Sequence, residues 1–182
     1  RKGWVYLAWG QNLLGKGELG QAEAFINESI AIFEDPGNRW GVATAWEYLH
    51  LVYLARGKIE KAHDIINNAL DLIKGYGLAV TEGILENGKA RLLTEGKEYG
   101  TALDIILKSR SKLTTTKYNL FTNHLLAAKI FISLNQTRKA AEQMDTIFIL
   151  SQSNDFNRFM VQQKEWLLPF FKTEVNTGTG LY

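Results

Sequence analysis

The side chains able to do chemistry in this sequence are few and scattered. The histidines are His50, His63 and His124, and the chain has no cysteine. No HExxH or HxH spacing sets two histidines on one helical face, so neither a metal centre nor a thiol nucleophile is expected. Ser109 and Ser111 lie in a basic run without the GxSxG turn that exposes a nucleophilic serine. No GxxxxGK[ST] loop is present to wrap backbone N–H groups around a phosphate. Glu82 and Glu86 are four residues apart, a pairing a glycosidase could use, but solvated helix faces produce that spacing constantly. The sequence is therefore read as non-enzymatic, with no cofactor and no metal.

Charge points the same way. The run Lys108-Ser109-Arg110-Ser111-Lys112, with Lys117 beyond it, is the one basic cluster without an interleaved acid. Cations in the last turn of a helix complement its dipole by about 0.3–1 kcal/mol, which accounts for such a run without an anionic ligand. The formal net charge is +2, far from the basic stripe of a nucleic-acid footprint, so no direct nucleic-acid partner is expected. The longest continuous apolar stretch, residues 4–9, is too short for a membrane helix or a signal peptide, and a cytoplasmic setting is expected. The first residues, Arg1-Lys2-Gly3-Trp4, lack an initiator methionine and read as the start of an excised fragment.

The elements that hold these residues follow from composition and periodicity. In 182 residues the only prolines are Pro36 and Pro169, a scarcity that favours long helices, because proline in a helix interior costs about 3 kcal/mol. Three segments align on a turn followed by alanine: Gly17-Glu18-Leu19-Gly20-Gln21-Ala22, Gly57-Lys58-Ile59-Glu60-Lys61-Ala62 and Asn135-Gln136-Thr137-Arg138-Lys139-Ala140. Lys97-Glu98-Tyr99-Gly100-Thr101-Ala102 fits the same frame with its glycine shifted to Gly96. The alanines are 40, 40 and 38 residues apart, and a second mark, Gly10, His50, Ala90 and Ala128, keeps the same intervals. Small residues at both marks suit helices that cross at about 8 Å. His50 is the exception, read either as a satisfied core or rim histidine or as a ligand-facing, pH-sensitive group.

Apolar residues recur at three- and four-residue spacing between the marks, as in Ile59, Ala62, Ile65, Ile66, Ala69, Leu70 and Ile73. Each repeat is thus two antiparallel helices. The expected helices are 2–15, 18–34, 39–56, 59–74, 78–95, 98–111, 118–134, 137–151 and a closing helix at 156–172. The domain is expected to span 1–172, with a frayed tail over 173–182. Trp4, Trp9, Trp46, Tyr53, Phe121 and Phe131 are expected to fill the space between stacked pairs.

Small residues at both crossings, Tyr6 and Trp46 four places before the first, and the turn Gly57-Lys58-Ile59-Glu60-Lys61-Ala62 resemble a tetratricopeptide repeat (TPR). The resemblance covers most of 1–150, with a period longer than that family's 34 residues. The stretch from Gly37 to Trp46 looks like a repeat start in the long TPR regions of large bacterial regulators, the MalT-like, LuxR-type and antibiotic-regulatory-protein-type transcription activators. The resemblance implies an all-α, right-handed α-α superhelix of about four helix pairs plus a closing helix, serving as a sensor or interaction arm. In that frame the groove-facing positions are Leu7 and Gln11, Glu47 and Leu51, Asn87 and Arg91, Leu125 and Lys129, with Leu54 one turn further along. An apolar pocket beside a polar, cationic one is expected, holding a protein or peptide. Two other readings stay open: self-association through the apolar helix 156–172, and a small-molecule receptor.

Overall fold

The computed structural model describes residues 1–152, and every regular element among them is an α-helix. The helices are α1 (Lys2–Gly15), α2 (Leu19–Glu34), α3 (Arg39–Ala55), α4 (Ile59–Ile73), α5 (Ala79–Glu95), α6 (Tyr99–Arg110), α7 (Lys117–Ser133) and α8 (Thr137–Ser151). Each boundary falls within one residue of its sequence expectation. The expected closing helix at 156–172 and the tail lie outside the described residues.

Contacts divide the chain into two compact units, Arg1–Thr116 and one beginning at Lys117. In the first, α1 pairs with α2, α3 with α4 and α5 with α6, while α2 packs on α3 and α4 on α5. The first helices also touch in sequence, α1 with α3 and α3 with α5. In the second unit, α7 pairs with α8.

The turn inside each pair is one motif built four times. Gly17, Gly57, Lys97 and Asn135 all have left-handed backbones, with φ of 79°, 69°, 62° and 55°. The amide that follows reaches back to the carbonyl five residues earlier: Glu18 to Leu13, Lys58 to Tyr53, Glu98 to Leu93 and Gln136 to Phe131, at 2.8–2.9 Å. This is the Schellman closure, which satisfies carbonyls that a helix end leaves open. Here the sequence expectation needs correcting, because the third repeat does not use its displaced glycine. Gly96 is right-handed at φ −75°, and Lys97 carries the strained position itself.

The second helices supply a repeating ridge to the core. Ala22, Ala62, Ala102 and Ala140 are wholly buried, as are Ile26, Ile66 and Ile106. At the first crossing Gly10 has no side chain because none fits: a Cβ would stand 2.6 Å from Ile26 Cγ1. Among the expected core aromatics, Phe121 and Phe131 are buried, and Trp4, Trp46 and Tyr53 pack partly against the core. Trp9 is the correction: it is 57% exposed, because its place on α1 faces away from α3.

Candidate partner-binding face

The first helices α1, α3 and α5 form a continuous row, whereas no comparable contact joins α2 to α4 or α4 to α6 among the described residues. The row of first helices is therefore the tighter side of the first unit. Gln11, Glu47, Leu51, Leu54, Asn87 and Arg91 stand on it, each partly exposed. Lys129, also partly exposed, stands on α7 of the second unit. Leu7 and Leu125, expected to line the groove, are 1% and 7% exposed and belong to the interior. The same register position folds inward when it is leucine and stays partly exposed when it is Glu47 or Asn87, although the Glu47 carboxyl itself is desolvated. Leu51 and Leu54 are left as the apolar part of the face, Leu54 packing against the core of α4 and α5.

Asn87 is anchored from beneath. The Ser109 hydroxyl donates to Asn87 Oδ1 at 3.0 Å and also reaches the Ile106 carbonyl at 3.0 Å. Ser109 is thus a buried core residue on α6 and not a surface nucleophile. Its neighbours in the basic run are accounted for locally. Lys108 and Arg110 occupy the last turn of α6. The Lys112 ammonium donates to Glu86 at 2.7 Å and lies 3.1 Å from Glu82. Burial works against the Lys112 charge, but the bonds to Glu86 and Glu82 outweigh it and raise its pKa. The carboxylate pair on α5 is therefore an electrostatic clasp across one helix pair. With Asp71, Lys74 and Leu78 it lines a shallow depression at the α4–α5 turn. Among the described residues no group of three His, Asp or Glu side chains could hold a metal ion.

The least ordinary electrostatics lie beside Arg91. His50 is 1% exposed, and neither Nδ1 nor Nε2 has a hydrogen-bond partner. Of its two sequence readings, the satisfied core histidine is only half right: the residue is core, but it is unsatisfied. Burial, reinforced by the positive charge of Arg91, pushes its pKa down to about 3; the Glu47 carbonyl pulls the other way without forming a bond of ordinary geometry. One turn earlier on α3, burial pushes the Glu47 carboxyl up to about 7 against the attraction of Arg91. Desolvation disfavours charge on both groups, so the site holds a neutral imidazole and a carboxyl that titrates near neutrality. Sequence spacing did not single out this pair. The available signal was a histidine standing where other repeats carry glycine or alanine.

No family model matches the chain, and no curated protein matches it in sequence. Solved structures do match in fold. BtubC (BKLC) from P. vanneervenii superposes with a TM-score of 0.65 at 14% identity, over 83% of this chain and 63% of that one. The apo form of RapI gives 0.73 at 9% identity, covering 97% and 69%. Nearly identical TPR-like repeats described as kinesin light chain, from Podosopora anserina, give 0.62 at 11% identity, covering 97% and 96%. The chain spans less than two thirds of the length of BtubC. The fold is a TPR-like helical-repeat solenoid. No helix among the described residues is long and apolar enough to cross a membrane.

Proposed function

We propose that this chain is a non-catalytic interaction module that holds a segment of another protein along its first helices. The observation that carries this reading is the unbroken row of α1, α3 and α5, with Leu51 and Leu54 beside Glu47, Asn87 and Arg91 at its surface. Repeat surfaces of this kind recognise extended peptides or partner helices through apolar pockets, with a few polar groups setting orientation. Arg91 supplies a charge-assisted donor for a backbone carbonyl or carboxylate, and Leu51 and Leu54 supply the apolar seat. Gln11 extends the set on α1, and Lys129 on α7 offers a cationic contact of its own in the second unit. The likeness of the stretch from Gly37 to Trp46 to repeats of bacterial transcription regulators supports a role as the sensor or interaction arm of a larger regulator, working in the cytoplasm.

A photo-crosslinking residue in place of Leu51 tests the proposal. The expected product joins residue 51 to one defined segment of a partner, and Arg91→Ala reduces its yield. If cross-links scatter over unrelated proteins and ignore Arg91→Ala, the face is not a binding site.

A further inference from the structure

Seven places past its repeated alanine, each second helix carries a wholly buried residue: Ser29, Ala69, Ser109 and Ile147. Three places before its small crossing residue or His50, each first helix carries Leu7, Glu47, Asn87 or Leu125. Among the described repeats, the third alone combines a hydroxyl with an amide at these two places. There the Ser109 hydroxyl donates to Asn87 Oδ1 at 3.0 Å. In the first repeat the register partner is Leu7, which offers nothing to bond, and the Ser29 hydroxyl has no hydrogen-bond partner. In the second, Ala69 brings no hydroxyl to Glu47. The buried place therefore accepts alanine or serine alike, and what the Ser109 hydroxyl adds is its tie to Asn87.

The direction of that bond decides what Asn87 shows at the surface. A hydroxyl has one proton to give. Ser109 Oγ is also 3.0 Å from the Ile106 carbonyl, but that carbonyl lies within α6, whose own backbone ladder serves it. The proton is thus left for Asn87 Oδ1. Oδ1 and Nδ2 are the two ends of one planar amide, so holding Oδ1 inward turns Nδ2 toward the partly exposed side of the residue. Nδ2 carries two protons, and a bond to a neighbour within the chain does not exhaust them.

We propose that Ser109 is a positioning residue for the partner-binding face: it pins the Asn87 amide with its N–H groups outward, so that Asn87 takes a backbone carbonyl of the bound segment. The inference rests on the proposed function and adds to it the chemistry accepted at one place, an acceptor and not a donor. A carbonyl is the acceptor that every peptide segment supplies, so this contact sets orientation while Leu51 and Leu54 seat the side chains. Fixing the amide before the segment arrives removes the cost of ordering it on binding.

Two measurements on the full chain test it. In the free protein, the heteronuclear NOE of the Asn87 side-chain amide should be that of a fixed group. It should drop in Ser109→Ala while the melting temperature stays close to wild type, since Ala69 fills the same place one repeat earlier. For binding, the probe is the segment captured by the cross-linker at position 51. Ser109→Ala should weaken it about fivefold, as loss of one neutral hydrogen bond does, and Asn87→Ala about tenfold. In an Asn87→Ala background, Ser109→Ala should cost nothing further, which a merely structural role would not reproduce. Asn87→Asp keeps an acceptor for Ser109 but has no N–H to present, and should bind no better than Asn87→Ala. An amide equally fixed without the Ser109 hydroxyl, a Ser109→Ala penalty that persists in Asn87→Ala, or an Asn87→Asp variant that binds like wild type would each overturn the proposal. If the captured segment is indifferent to Arg91→Ala, the face itself fails and the proposal falls with it, even where the NOE shows the amide fixed.

Discussion

The His50 ring occupies the space that Gly88 leaves open on α5. A Cβ at position 88 would stand 3.0 Å from His50 Cε1, 3.1 Å from Nε2 and 2.9 Å from Ile66 Cδ1. The tip of Ile66 can swing aside, whereas the imidazole is 1% exposed and has little room to move. Gly88→Ala should therefore destabilise the chain by about 1 kcal/mol, as overpacking of about 1–3 kcal/mol exceeds the gain of about 1 kcal/mol in helix propensity. In a double-mutant cycle, His50→Ala should relieve much of that cost. Additive effects in urea unfolding would show that the two residues do not meet.

The same ring and Glu47 set opposite pH dependences. The folded His50 resists protonation down to about pH 3 while the unfolded side chain accepts a proton near 6.5. Its contribution is thus complete above 6.5 and lost as pH falls from there toward 3. Glu47 runs the other way: its folded pKa of about 7 lies above the 4.5 of an unfolded glutamate, so its contribution is complete below 4.5 and lost as pH rises through 7. Together they predict a plateau of stability between pH 4.5 and 6.5. Glu47→Gln should convert that plateau into a rise with pH, and His50→Leu into a fall. Denaturant midpoints across this range, compared with wild type, check both signs.

At the third turn, Lys97 carries a left-handed backbone that costs a non-glycine residue about 1–2 kcal/mol. Lys97→Gly should raise stability by about 1 kcal/mol, offset partly by the flexibility glycine adds to the unfolded chain. Gly57→Ala, at the equivalent position with φ 69°, should lower it. A Lys97→Gly variant that melts below wild type would contradict the shared turn geometry.

The helices were legible in the sequence because their signals are local: a 3.6-residue apolar period, a turn residue, an alanine twelve positions past each small crossing residue. Which surface each side chain meets was less legible, since that depends on helices 20 to 40 residues away. Leu7 and Glu47 share a register position, and only packing separates the buried leucine from the partly exposed glutamate. Asn87 read as a groove residue, and its tie to Ser109 needed α6 in place. The raised pKa of Glu47 comes from burial, which no spacing along one helix reports.

The proposed binding of a partner segment along α1, α3 and α5 rests on Arg91 and Leu51. Its most direct test is calorimetric titration of the segment cross-linked at position 51 into the wild-type chain and into Arg91→Ala. A charge-assisted contact contributes about 1.5–3 kcal/mol, so the variant should bind roughly tenfold or more weakly while melting close to wild type. Equal affinity for the two proteins would contradict the account.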